Sequence, residues 1–364
     1  MLRRVKYIVS VLGLLFVLVS CDQTIHEYPT DPKITLNLTC EIDNAAPEYF
    51  TNVENEGKGT SYIVRTQSTK PRGTRFEEPV VLRYIFDLYR VVASHSEFVE
   101  RKVVYAPVSN PVPEAIEFEL QAAEYKVLAW CDYVKESTKE ESWYYKTDDL
   151  RNIRYSDIEV KDNNDKDVFT AMWHINLREY SYSVTDREID KHLILERPNG
   201  RYKCLTTLDD VETYLRKDGV AKEITTVATY VLYVADGYNV EEQKPNHFEV
   251  TRTFLTTVNV EDAKGDGLEM CYDYVFVNGK QSNVKINFEF YKGALTQGTN
   301  GLLYKADGSL ATEDDRISNW AGIVVPLKRN METVVLGHFL TQSFGSGGIG
   351  IEPGFEGEIV IPWE

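Results

Sequence analysis

The chain has 364 residues, of which 57 are acidic and 40 basic, for a formal charge of −17. So acidic a surface repels phosphate backbones and anionic headgroups, which excludes nucleic acid as a partner. Twenty-three tyrosines, and segments rich in Val, Ile, Thr and Phe, suit pleated, half-buried surfaces and point to β structure.

The first element is a leader. Arg3, Arg4 and Lys6 precede Tyr7 to Val19, a run of thirteen residues without charge. That is the layout of a secretory signal peptide, and it is too short to cross a bilayer, which needs about 20 residues. Leu18-Val19-Ser20-Cys21 resemble the bacterial lipobox, whose cysteine receives a diacylglycerol before cleavage. Residues 1–20 are therefore expected to be removed, leaving Cys21 as the lipidated first residue and a formal charge of −20, from 37 basic and 57 acidic residues. Several acyl chains on one terminus meet the need for more than one chain in stable anchoring. The expected partner at this end is a membrane, reached through lipid. Residues 21–33, polar and marked by Pro29 and Pro32, read as a tether reaching at most about 40 Å.

Period two then takes over. In "KITLNLTC", Ile34, Leu36 and Leu38 share one face, with Thr35, Asn37 and Thr39 on the other, which predicts a half-buried strand. The polar stretch from Glu54 to Glu78 reads as a long loop, of the kind that is functional or disordered. "PVVLRYIFDLYRV" aligns Val80, Leu82, Tyr84, Phe86 and Leu88, and "AIEFEL" alternates Ile116, Phe118 and Leu120 with Glu117 and Glu119. "YKVLAWCDYV" is apolar on both faces, as a central strand is. A Pro-Asn-Gly turn near "HLILERPNGRY" suggests a boundary at about residue 192, giving units 34–192 and 193–364.

In the second unit "TTLDDVETYLRKDG" predicts one short helix, with Leu208, Val211 and Leu215 on its apolar stripe and Gly219 closing it. "ITTVATYVLYVADG" is a strand candidate. Asn278-Gly279 stands between two alternating runs, a strong hairpin signal, and Val284, Ile286, Phe288 and Phe290 alternate with Lys285, Asn287 and Glu289. At the end, Phe355, Ile359, Ile361 and Trp363 alternate with Glu356, Glu358 and Val360. This predicts a final edge strand available for exchange, with Pro362 removing one ladder donor. Many strands with a minor helix make a mainly β fold built of sandwiches.

Motifs for chemistry are sparse. "GSGGIG" at 345–350 satisfies Gly-x-Gly-x-x-Gly, but the glycines and proline after it open no helix, so it reads as a flexible connection. "DNNDKD" at 162–167 lacks the glycine and closing glutamate of a calcium loop and reads as a solvated turn. The six histidines form no His-x-x-x-His pair, and no Gly-x-Ser-x-Gly elbow exists. Neither catalytic residues nor a metal or cofactor site is assigned. Cys40, Cys131, Cys204 and Cys271 lie in or near apolar runs without metal-like spacing, and buried free thiols are favoured over disulfides. Most of the five tryptophans read as packing residues. The run Trp143-Tyr144-Tyr145 is set apart, because contiguous aromatics in a strand cannot all face inward, and these three are candidate ligand contacts.

Lipobox, tether and two β units together resemble the fimbrillin-type surface lipoproteins of Bacteroidetes, including the anchoring subunits of minor fimbriae. "CDQTIHEYP" followed by "KITLNL" is similar to their mature N-terminus, and "FELQAAEYKVLAWCDYV" to their first-domain pattern. "LILERPNGRYKCLTT" resembles the start of the second domain, and "VVPLKRNMETVVLGHFLT" with "GGIGIEPGFEGEI" resembles its end. The resemblance implies two tandem transthyretin-like or immunoglobulin-like sandwiches and a place at the cell surface, in the outer membrane. It further implies fimbrial subunits as partners, met by strand pairing at sheet edges. The competing expectation is a surface lipoprotein that binds a glycan or host ligand through exposed aromatics. Polymerising subunits of this type lose an N-terminal strand after an arginine, and "GTR" at 73–75 offers one such residue.

Overall fold

The structure, a computed structural model, describes residues 32–43, 51–57, 60–68, 79–139, 144–156, 166–181, 185–217, 219–231, 234–249 and 252–343, with backbone alone for 51–57, 60–68 and 249. Among these, strands dominate. The first group is β1 (Ile34–Ile42), β2 (Thr51–Gly57), β3 (Thr60–Ser68), β4 (Val80–Val92), β5 (His95–Pro107), β6 (Ile116–Leu120), β7 (Glu124–Lys135), β8 (Tyr145–Lys146), β9 (Ile153–Tyr155), β10 (Phe169–Asn176) and β11 (Arg187–Leu195). There follow β12 (Asn199–Thr207), α1 (Leu208–Leu215), β13 (Glu223–Tyr230), β14 (Val234–Asn239), β15 (Lys244–Glu249), β16 (Arg252–Asn259) and β17 (Gly267–Phe276). The last are β18 (Gln281–Lys292), β19 (Leu295–Gln297), β20 (Leu303–Lys305), β21 (Arg316–Lys328) and β22 (Met331–Gly337).

Two sheets, ordered β11-β1-β6 and β10-β7-β4-β5, form the first sandwich. Alternation decides which side chains meet: Ile34, Leu36 and Leu38 of β1 and Ile116, Phe118 and Leu120 of β6 pack on Leu82, Tyr84, Phe86 and Leu88 of β4 and Val127, Ala129 and Cys131 of β7. The second sandwich joins β17-β12-β22-β3-β2 to β16-β13-β18-β21. Its core holds Tyr202 and Cys204 of β12, Ile286, Phe288 and Phe290 of β18, and Trp320 and Val325 of β21. Among the described residues the fold is thus mainly β with one short α-helix. All four described cysteines are buried free thiols, and Cys204 and Cys271 face each other across β12 and β17.

Several local expectations are corrected. The polar stretch after Glu54 is not a loop throughout, since β2 and β3 form a hairpin whose second strand pairs with β22 and so extends a sheet of the second sandwich. Asn278-Gly279 does make a tight turn, with Gly279 at φ 68°. It does not close a hairpin, however, because β17 pairs with β12 while β18 pairs with β13 and β21. The turn instead carries the chain from one layer to the other, because both flanking strands turn apolar residues into the same core. In α1 the buried face is Asp210, Val211 and Tyr214, while Leu215 is 40% exposed. The stripe is rotated because the Asp210 carboxylate accepts the backbone N–H groups of Leu340 at 2.7 Å and Thr341 at 3.1 Å, which ties the helix to the segment after β22. Thr207 caps the helix by accepting the Asp210 N–H at 3.2 Å.

β4 and β7 are buried on both faces. The face away from the first core carries Ile85, Tyr89, Leu128 and Trp130, and it is covered by Tyr145, Leu150, Ile153 and Tyr155, together with Tyr238 and Val240 and Phe276 from the second half of the chain. A four-stranded sheet, β15-β14-β9-β8, draws strands from both halves and roofs this contact.

Candidate functional site

The first described strand is a central one. β1 pairs in parallel with β11 over its whole length, from Ile34↔Arg187 to Ile42↔Leu195, and antiparallel with β6 from Ile34↔Leu120 to Leu38↔Ile116. Its inner side chains are buried for the reason read from the sequence: the apolar residues fall on every second position. Its wet face is laced to the neighbours as well. Asn37 Nδ2 donates to Glu188 at 2.8 Å and to Asp190 at 2.9 Å, and Thr39 Oγ1 lies 3.0 Å from the His192 ring. Just before β1, the Lys33 N–H donates to Asp186 at 3.0 Å and its ammonium pairs with Glu119.

A second feature is β5, a 13-residue edge strand whose described partner is β4. Phe98, Val99 and Val103 are 55%, 47% and 39% exposed, an apolar load that edge strands commonly avoid. The register slips at Val99, and Glu97, Glu100, Arg101 and Lys102 surround the bulge. A bulge and charges both discourage pairing, so the charge-free segment from Val103 to Ala106 is the part of this edge that carries neither.

A third feature is a polar cluster sealed where the two sandwiches meet. Lys166 is fully buried and its Nζ lies 2.5 Å from Asp273 Oδ1 on β17. Asp273 Oδ1 also accepts the Tyr274 N–H at 2.8 Å, and Oδ2 accepts the Tyr230 hydroxyl at 2.9 Å. Lys166 Nζ stands 4.8 Å from the centre of the Tyr155 ring, which the Arg252 guanidinium also covers, at 4.9 Å. Burial pulls the Lys166 ammonium down to about 8, against the upward pull of Asp273. Beside it Arg197 Nε donates to Asp167 at 2.8 Å and Arg197 Nη1 to Asn330 at 2.7 Å. Gly237 on β14 lets β9 approach, since a Cβ there would meet the Ile153 carbonyl oxygen at 2.3 Å.

Lys166 and Asp167 therefore correct the reading of 162–167 as a solvated turn: both side chains are buried and ion-paired. Tyr144 and Tyr145 are buried too, and the Tyr145 hydroxyl donates to the Lys166 carbonyl at 2.5 Å. Tyr145 packs edge-on against Trp130, their ring centres 5.3 Å apart. Neither tyrosine offers a face to a ligand, because this strand is roofed by the second half of the chain. Trp143 lies outside the described residues, as do Cys21 and the strand-exchange candidates Phe355, Ile359, Ile361 and Trp363. Trp130 and Trp320 are packing residues, both fully buried.

Lys166, Asp273, Tyr155 and Arg252 escaped sequence reasoning. One signal was present: "MCYDYVF" sets a single aspartate in an otherwise apolar strand, as "AWCDYV" does with Asp132 and "VLRYIF" with Arg83. Lone charges in such strands are seldom buried unless paired. Arg83 and Asp132 are in fact bonded to each other, Nε to Oδ1 at 2.9 Å and Nη2 to Oδ2 at 2.6 Å.

Comparison with known proteins places the chain among relatives without an assigned role. Residues 29–305 and 309–363 match a family model described as "Family of unknown function (DUF6562)". No curated protein matches. Among solved structures, the chain is similar to the tip fimbrial protein Mfa3 from Porphyromonas gingivalis (8% identity, TM-score 0.37, covering 84% of this chain and 94% of that one). It is also similar to the fimbrial anchor protein Mfa2 from the same organism (9% identity, TM-score 0.35, covering 80% and 82%).

Proposed function

For a chain that belongs to the family of unknown function DUF6562, we propose the role of a non-enzymatic lipoprotein of the outer membrane surface. It is held by lipid at Cys21 and anchors or caps a fimbrial filament through β-strand pairing, with 34–192 and 193–364 as its two units except that the β2–β3 hairpin joins a sheet of the second. The observation that carries this reading is the position of β1. The strand that follows the tether is built into the middle of its sheet, paired on both sides and buried on one face. A subunit that surrenders its first strand to polymerise leaves a groove for a neighbour's strand, whereas a chain that keeps its lipidated N-terminus keeps β1 in that place. It is therefore suited to the end of a filament rather than to its shaft. The uncharged half of β5 supplies an edge on which a subunit's strand can add.

The test is fractionation of cells carrying Cys21→Ala. The variant is expected in the soluble fraction, with surface filaments shed into the medium alongside it. Filaments that stay on the cells while the variant is soluble would refute the anchoring role, and a variant that stays with membranes in high salt would refute lipidation at Cys21.

A further inference from the structure

The buried pair at the junction has the composition and geometry of a reactive pair as well as of a salt bridge. A primary amine and a carboxyl group are held in contact, Nζ to Oδ1 at 2.5 Å, with side-chain exposures of 0% and 2%. Around them stand Tyr155, Tyr145 and Phe276, which keep water out. Passage of one proton from Nζ to Oδ1 leaves a neutral amine beside a neutral acid and removes two charges from a dry site. The amine nitrogen is then a nucleophile, in contact with the oxygen borne by the carbon it attacks. Reactants held this way gain an effective concentration of roughly 10⁵–10⁸ M.

We propose that Lys166 Nζ and Asp273 Cγ condense into an intramolecular isopeptide bond that ties the segment before β10 to β17. The proton from Nζ goes to Oδ1, and the nitrogen lone pair then forms a bond to Cγ. Negative charge gathers on Oδ2, where the Tyr230 hydroxyl already donates at 2.9 Å, in the manner of an oxyanion hole. The positive charge of Arg252 acts on the same carboxyl group. The Cγ–Oδ1 bond then breaks and Oδ1 leaves as water with a second proton from Nζ. The product is a neutral amide that keeps one N–H, with Oδ2 as the carbonyl oxygen still accepting from Tyr230. Every atom is accounted for by the loss of one water, and neither oxidant nor cofactor enters. The reaction removes two charges from a buried site, so the sealed surroundings that make the ion pair costly favour the amide.

The test is peptide mass spectrometry on the folded chain, denatured and then digested with trypsin. The expected product is a single species joining the peptide with Lys166 to the peptide with Asp273, lighter than their sum by one water and uncut after Lys166. Lys166→Arg keeps the charge and is expected to yield two separate peptides. A wild-type digest in which the chain is cut after Lys166 and the Asp273 peptide has its unmodified mass would overturn the proposal and leave an ion pair only. That wild-type result decides the matter even if the variant fails to fold.

Discussion

Removing β1 tests whether the strand beside the tether holds the first sandwich together. Ile34, Leu36 and Leu38 are all at most 1% exposed, and burying each contributes roughly 1.5 to 3 kcal/mol, or about 5 to 9 kcal/mol for the three. The net stability of a domain is only about 5 to 15 kcal/mol. Truncation after residue 42 also strips the backbone partners from β11 and β6, so the first sandwich is expected to unfold, or to survive only with a substitute strand. The assay is calorimetry of the truncated chain with and without a synthetic peptide of residues 33–43. Addition of the peptide is expected to restore a cooperative transition that the truncated chain lacks, and a peptide with Leu36→Asp is not. If the truncated chain melts like the intact one, β1 carries no such load and is not the strand that completes the first sandwich.

Asp132→Ala removes the bidentate partner of the buried Arg83 guanidinium, which is expected to cost up to about 3 to 5 kcal/mol. The double replacement Arg83→Met with Asp132→Leu, by contrast, removes both charges and is expected to cost less. Urea unfolding of the two variants checks this, and equal destabilisation would show that packing rather than the lost ion pair sets the cost. His247, on β15, bonds through its ring to Asn152 at 2.5 Å and to Arg154, and burial and the Arg154 charge hold its imidazolium below the ordinary 6.5. The unfolded chain therefore takes up the proton first, so stability is expected to be level above that value and to fall as the pH drops through it. Denaturation midpoints measured between about pH 7.5 and about pH 5 are expected to fall less steeply in His247→Gln than in the parent, and parallel curves would remove His247 from the account.

What could be read in the sequence followed from strict local periodicity. Ile34, Leu36 and Leu38, Ile116, Phe118 and Leu120, and the Val284–Phe290 set all fell on the buried side, because a one-residue shift would have exposed every one of them. "YKVLAWCDYV" was recognisable as central because both its faces are apolar, and β7 does lie between β10 and β4. What escaped was decided by pairing across long separations. Nothing in the polar run from Glu54 says that β3 will be completed by β22, roughly 270 residues away in the chain. Likewise the charge of Lys166 made its segment look solvated, and only the placement of Asp273, Tyr155 and Arg252 around it makes burial tolerable.

The same long-range pairings bear on how the chain would carry load if anchored as proposed. A pull from the N-terminal side would enter at Lys33 and act along β1, whose bonds to β11 and β6 lie side by side across the line of force. Those bonds are sheared together instead of being opened one by one, so resistance grows with the length of the pairing. The load next has to reach the second sandwich. The hairpin of β2 and β3, which starts just after β1 in the chain, is itself part of the sheet containing β22, so one route follows the backbone directly from the anchored strand. The other runs through the first sandwich to Lys166 and Asp273. An ion pair at that point yields when water reaches it, whereas an amide does not, so an amide would hold the second route after the apolar contacts and the shared sheet around it had parted.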